Sequence, residues 1–206
     1  GYTLDKNGEV TGLALAGIVA NSYTFLNDLT SLSFLDLSIH NLKDVSFLKN
    51  LNALSSLNLQ GNKINSLSFL NDLPNLTSLN LALNPISDTA LLKVLPNITS
   101  INIGMASLRD TSFLKNFPNL SHLDVMGNTI DENTFKHLPN LSYLNLSVAL
   151  VNDYSVLIEL PKLSSLDLGG NAINDYSFLI GLKRLSSLKL AGSEISNISF
   201  LRYLHN

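Results

Sequence analysis

One pattern restricts this chain more than any other: an aliphatic residue returns at the same phase about every 22 residues. Aligned on the first apolar position of LSSLNLQGNKINSLSFLNDLPN (Leu54 to Asn75), copies begin at Val10, Leu32, Leu54, Leu76, Ile98, Leu120, Leu141, Leu163 and Leu185, with one step of 21 between Leu120 and Leu141. A unit that short has one apolar side and nothing of its own to cover it, so it is stable only when stacked on neighbours of the same outline. The expectation is one domain over 1–206: nine repeats over 10–206, preceded by a capping strand and turn over 1–9.

Each copy carries the skeleton L-x-x-L-x-L-x-x-N-x-[IL]. Leu57 and Leu59 alternate with Ser56, Asn58 and Gln60, which reads as a short strand with leucines inward and polar residues outward. The eighth position is glycine at Gly17, Gly61, Gly127, Gly170 and Gly192, where a turn of positive φ is easiest. The ninth is Asn62, Asn84, Asn128 and Asn171, expected to point inward and satisfy backbone groups, but Ile18, His40, Ala106, Ala149 and Ser193 elsewhere. Further on, a hydroxyl precedes an apolar pair, as Ser46 precedes Phe47-Leu48, and is placed to cap a short helix. Phe25, Phe47, Phe69, Phe113, Phe178 and Phe200 are expected to stack as one buried column. Prolines such as Pro74 and Pro139 precede the next strand, where extended backbone is wanted. The residue missing between Leu120 and Leu141 falls within Asp131 to Asn140, where a kink or bulged loop is expected.

Over 10–206 these residues resemble leucine-rich repeats. The 22-residue length with D-x-S-F-L-x-x-L-P-N, varied as DTSFLKNFPN from Asp110 to Asn119, is similar to bacterial internalins and to intracellular phosphatase-regulatory repeats. The resemblance implies an α/β fold: a right-handed solenoid with a parallel concave β-sheet and short 3₁₀ or irregular convex segments. It also implies protein recognition, in a bacterial protein of the cell surface or a secreted one. A cytoplasmic location stays open, because the chain opens on Gly1 with neither a Met nor a signal segment.

Before the first repeat, two apolar-alternating runs flank Asn7-Gly8, a dipeptide suited to a hairpin that folds Tyr2 to Leu4 back onto the first repeat strand. A calcium loop is the rival reading of Asp5, Asn7 and Glu9, and it fails because Thr11, Leu13 and Leu15 stand where further ligands should follow.

Composition narrows the function. Apolar residues make up 45% of the chain and charged ones 14%, so a core is affordable. A net charge of −3, with no basic cluster beyond Lys183-Arg184, speaks against nucleic acid and anionic membrane. No apolar run approaches the length of a membrane span, and the absence of cysteine removes disulfide caps and thiolate metal sites. Signatures of nucleophilic, phosphate-binding or zinc-hydrolase chemistry are absent, so neither enzyme nor cofactor is expected. His122 with Asp124 is the nearest approach to a metal pair, but Ser100, Asn102, Tyr143 and Asn145 are weak ligands, and no metal is expected. N-x-S/T at Asn75, Asn97, Asn119, Asn140, Asn145 and Asn197 is mostly a by-product of the period.

Function is then sought in the outward strand positions. The middle column runs Ala14, Asp36, Asn58, Asn80, Asn102, Asp124, Asn145, Asp167 and Lys189, at rungs about 4.8 Å apart. It reads first as a ladder hydrogen-bonded from rung to rung, and second as a polar track for a partner. In the column before it, Phe34, His122 and Tyr143 stand out against glycine and serine. Exposed aromatics and methionine among small polar residues have the composition of binding hot spots. The candidate site is His122, Asp124, Met126, Tyr143 and Asn145, extended along the rim by Met105 and Val148, with Phe34 and Asp36 as a separate outlier.

The resulting expectation is a non-catalytic recognition module binding a host or bacterial protein on its concave face. The alternatives are a spacer or scaffold array within a larger protein, and an intracellular regulatory subunit. The ninth copy keeps Leu185, Leu188, Leu190, Ile195, Phe200, Leu201 and Leu204 in register with no diverged cap. Further repeats, a following domain or end-to-end self-association is therefore expected at that end.

Overall fold

The alternation of inward leucine and outward polar residue lasts only three positions in most copies, and the strands have that length. The computed structural model describes residues 1–18, 20, 22–87, 89, 95–193, 195 and 198–203, in two units, Gly1–Ala106 and Ser107–Asn206. In the first unit, β1 (Tyr2–Leu4), β2 (Val10–Ala14), β3 (Phe34–Asp36), β4 (Ser56–Asn58), β5 (Ser78–Asn80) and β6 (Ser100–Asn102) lie in sequence order. β1 runs antiparallel to β2, and every later pair is parallel with no register slip: Leu13 faces Leu35, then Leu57, Leu79 and Ile101. The second unit repeats this with β7 (His122–Asp124), β8 (Tyr143–Asn145), β9 (Ser165–Asp167) and β10 (Ser187–Lys189), all parallel. Leu35, Leu57, Leu79, Leu123, Leu144 and Leu166 are all at most 1% exposed, so the inward face is closed at these rungs, while Leu13 and Leu188 on β2 and β10 are half-buried.

The hairpin forms as expected, with Gly8 at φ 84°. Asp5 holds the turn by accepting the N–H groups of Asn7 and Glu9 at 2.8 and 2.9 Å, so the carboxylate that a cation loop would need is already engaged by backbone.

Short 3₁₀ turns connect the strands: Thr24–Asp28, Ser46–Asn50 and Ser68–Asp72 in the first unit, and Ser112–Asn116, Glu132–His137, Tyr154–Glu159, Ser177–Gly181 and Ser199–Tyr203 in the second. Their capping differs from the sequence expectation. The first-turn N–H is satisfied by the residue two places earlier: Asp44, Asp110 and Asp175 each accept from Ser46, Ser112 and Ser177 at 2.8 Å, and Asp153 from Ser155. Where serine stands two places earlier it accepts instead, Ser22 from Thr24 N and Ser66 from Ser68 N, while the hydroxyls of Ser46 and Ser177 donate to the aspartates. A carboxylate is the stronger acceptor and complements the positive end of the turn, which explains the preference. In the copy that is one residue short, Asp131 caps Asn133 directly and the turn lengthens to six residues, burying Thr134 and Phe135.

The phenylalanine column is also corrected. Phe69, Phe113 and Phe200 are buried, but Phe47 and Phe178 are only half-buried, and Phe25 is 46% exposed. The fully inward position is the leucine that follows: Leu26, Leu48, Leu70, Leu114 and Leu179 are at most 1% exposed. A turn of three residues sends one side chain straight inward and leaves its neighbour on the flank. There Phe47 stacks on Tyr23, Phe178 on Tyr154 and Phe200 on Tyr176, each ring against that of the preceding copy.

The ninth-position asparagines do the work expected of them. Asn84 is 2% exposed; its amide donates to Leu59 O, Leu81 O and Ala82 O, and its oxygen accepts from Ile64 N. Asn62 makes the same set around Leu37 O, Leu59 O, His40 N and Leu42 N. Where histidine replaces it, the His40 ring nitrogens lie 2.8 and 2.7 Å from Ser38 O and Ile18 O.

All nine eighth positions adopt positive φ, between 53° and 72°. Five are glycine. The others are Ile39, Leu83, Met105 and Val148, large apolar residues in a region that disfavours a Cβ, and each is 42% to 65% exposed. The fold imposes this geometry because it lets the N–H bond the next rung, as Ile39 N does to Gln60 O, Leu83 N to Gly104 O and Val148 N to Gly169 O.

In the ninth copy Leu185 and Phe200 are buried, Leu188, Leu190 and Ile195 half-buried and Leu201 exposed; Leu204 and His205 lie outside the described residues.

Candidate recognition surface

The outward face of each strand carries side chains that the core does not dictate. Its middle column is ordered mainly along its own strand. Asp36, Asn58, Asn80, Asn102, Asp124, Asn145 and Asp167 each accept the N–H two residues on, that of Ser38, Gln60, Ala82, Gly104, Met126, Ser147 and Gly169 respectively. The expected rung-to-rung bond within this column occurs at Asn145, whose amide donates to Asp124 at 2.9 Å. The continuous rung-to-rung ladder lies at the second position of the repeat instead. There Ser33, Ser55, Thr77 and Thr99 donate to the preceding rung's carbonyl in the first unit, and Ser142, Ser164 and Ser186 do so in the second. Asn75 and Asn140 donate likewise to Asn52 O and Pro118 O. Those two columns generate N-x-S/T, so the motif has a structural cause.

In the second unit the five candidate residues come together. His122 and Tyr143 are register partners on β7 and β8, with rings 5.9 Å apart and 20° from parallel. Ser121 Oγ lies 2.9 Å from His122 Nδ1 and fixes one edge of the ring. Asp124 faces Asn145 in the next column. Met126 is half-buried and donates its N–H to Asp124. Asn145 is 8% exposed, so it serves the patch by orienting Asp124 rather than by protruding. Tyr143 is held above the usual phenol range by burial first, then by the charges of Asp124 and Asp167.

Asp167 is the residue that sequence reasoning left in the ladder. It stands on β9 beside Asn145, with Lys189 Nζ 3.8 Å away. Of the rim residues, Val148 is exposed in this unit, next to Leu150, which is 70% exposed and forms a parallel bridge with Thr129. The strained apolar set was also missed, although glycine at five eighth positions and Ile39, Leu83, Met105 and Val148 at the rest was a visible signal.

Phe34 and Asp36 lie on β3 in the first unit. Phe34 is 41% exposed with Gly12 and Ser56 as register partners, and Asp36 is engaged by Ser38 N.

Among the described residues, no three His, Cys, Asp or Glu side chains come together as a metal site would require, and no helix is long and apolar enough to cross a membrane. The clefts in the second unit lie between connecting segments; one of about 340 Å³ is lined by Asp153, Tyr154, Asp175 and Phe178, and its carboxylates cap turns.

Residues 118–173 and 72–95 each match a family described as leucine-rich repeat. No curated protein sequence matches the chain. Among solved structures, an internalin (InlF) of Listeria monocytogenes is 30% identical with a TM-score of 0.77 over 94% of this chain, which spans 64% of that one. Internalin C2 of the same organism is 28% identical with a TM-score of 0.75, over 90% of this chain and 81% of its own. The mouse RP105/MD-1 complex matches at 27% identity and a TM-score of 0.68, over 86% of this chain and 33% of that one.

Proposed function

Since the chain is a leucine-rich-repeat protein similar to the internalins, we propose that it is a non-catalytic module that recognises a protein partner through the outward strand face of its second unit. The observation that carries this reading is the stacked His122–Tyr143 pair, with Asp124 and Met126 beside it, on a surface otherwise built mostly of small polar residues. Interfaces concentrate their energy in a few aromatic anchors surrounded by small complementary contacts. Two rings already packed together lose little side-chain freedom on binding, which favours affinity. The likeness to internalins supports a bacterial surface or secreted protein as the parent, and a host or bacterial protein as the partner. Phe34 with Asp36 is a second, smaller contact in this reading.

The test is affinity capture from host-cell and bacterial extracts with the 206-residue chain, beside His122→Ala/Tyr143→Ala and a control altered on the connecting turns, Lys115→Ala/Lys136→Ala. A partner held by the parent chain and the control, but lost by the aromatic double variant, is the expected result. Equal retention by all three removes the patch as the contact site.

A further inference from the structure

We propose, resting on that reading of the strand face, that Tyr143 with Asp124 and Asp167 forms a seat for one cationic side chain of the partner, arginine in preference to lysine. His122 covers one side of the Tyr143 ring. On the other side its register partner is Ser165, a side chain too short to cover a phenol. The open face of an electron-rich ring attracts a cation.

Two carboxylates flank that position from the neighbouring rungs, Asp124 on β7 and Asp167 on β9. Asp124 is hydrogen-bonded to neutral donors only, Met126 N and the Asn145 amide, so its charge is oriented but not neutralised. Asp167 accepts Gly169 N; Lys189 reaches it only to 3.8 Å, from a side chain 64% exposed, so the pair is strongly screened. The other lysines and arginines of this unit, Arg109, Lys115, Lys136, Lys162, Lys183, Arg184 and Arg202, all lie outside its strands. Burial raises the Tyr143 hydroxyl most, and the charges of Asp124 and Asp167 raise it further, in keeping with their nearness to the ring.

A planar guanidinium can lie on the phenol face while its edge N–H groups reach a carboxylate, a geometry that a lysine ammonium cannot match. A neutral side chain lacks the cation's attraction to the ring and the charge assistance of its hydrogen bonds, and an anionic one is repelled by the carboxylates.

The experiment titrates acetyl-Gly-Arg-Gly-amide, and the same peptide with neutral, isosteric citrulline, into the whole chain, reading ring-proton NMR shifts of Tyr143 and His122. The arginine peptide is expected to give saturable shifts at those rings and to bind about threefold or more tightly than the citrulline peptide. Asp167→Asn should weaken it by a similar factor, and Tyr143→Leu should remove the saturable His122 shift. Equal binding of the two peptides, or arginine binding untouched by Asp167→Asn, overturns the seat. If the peptide fails while the captured partner still depends on His122 and Tyr143, the seat is wrong and the recognition reading stands. If the peptide behaves as expected while partner capture ignores both residues, the seat stands and the recognition reading falls.

Discussion

The same substitution at two asparagines of one repeat, Asn84→Ala and Asn80→Ala, separates the two roles this residue plays. Asn84 is 2% exposed, and its oxygen accepts the N–H of Ile64, a residue with no exposed surface. Truncation leaves that N–H unpartnered and out of reach of water, at about 1 to 3 kcal/mol. Loss of the amide's bonds to the Leu59, Leu81 and Ala82 carbonyls adds about 1 kcal/mol, for a total of roughly 2 to 4. Asn80 is half-buried on the outward face, and loses one bond from Ala82 N and one to Gln60 Oε1, each 3.1 Å. Water can replace both, so the loss is about 0.5 to 1.5 kcal/mol. Urea denaturation at constant slope measures the two midpoints. Amide exchange at Ile64 provides a local check, since its protection should fall in Asn84→Ala and not in Asn80→Ala. Equal midpoint shifts with unchanged slope, or an Ile64 amide indifferent to Asn84, would refute the inward and outward assignment of the two columns.

Leu123→Ala, at a position with no exposed surface, should destabilise by about 2 to 5 kcal/mol in the same assay. Ile39→Gly removes a β-branched residue from φ 62° at a site 65% exposed; relief of about 1 to 2 kcal/mol of strain should outweigh the added flexibility of glycine, so the midpoint should hold or rise. Asp110 is held below the ordinary carboxylate range by Ser112 N–H first and the Ser112 hydroxyl second. A depressed folded value means that its stabilisation is complete above the ordinary value near pH 4, and is lost as pH falls through the lower one. Asp110→Asn should therefore be less stable than the parent at pH 7, with the gap closing in acid denaturation below about pH 4.

The fold was legible because its signal is redundant. Leu57 alone says little, but Leu35, Leu57, Leu79 and Ile101 at one phase define a face, and their register in the sheet has no slip. The ninth-position asparagine was legible for the same reason. What escaped was whatever depends on direction rather than period. Ser46 and Asp44 recur together, so the pattern cannot say which caps the turn; acceptor strength decides for the carboxylate. Phe47 and Leu48 recur together as well, and only a three-residue turn tells which is fully inward. Asn58 bonds along its strand because Gln60 N lies within reach, while the hydroxyl of Ser55 has the preceding rung's carbonyl as its nearest acceptor. The candidate site was visible as composition, but the Tyr143–Asp167 relation needed the pairing of β8 with β9.

The bonds between rungs reach back by almost one fixed distance: Ser55 to Ser33 O spans 22 residues, Asn75 to Asn52 O spans 23 and the Asn62 amide to Leu37 O spans 25. Each uses a backbone atom of the earlier rung, so the identity of that rung's side chains does not enter. Removal of residues 56–77 would leave Asn84 facing the Leu37 carbonyl that Asn62 now uses, and Thr99 facing Ser55 O in place of Thr77 O. Recombination can therefore lengthen or shorten this gene product in whole copies while every acceptor is kept. A frame of any other length would displace all of them at once, unless it is absorbed in a connecting turn as between Leu120 and Leu141. Length here is quantised, and the outward side chains can be reshuffled one rung at a time.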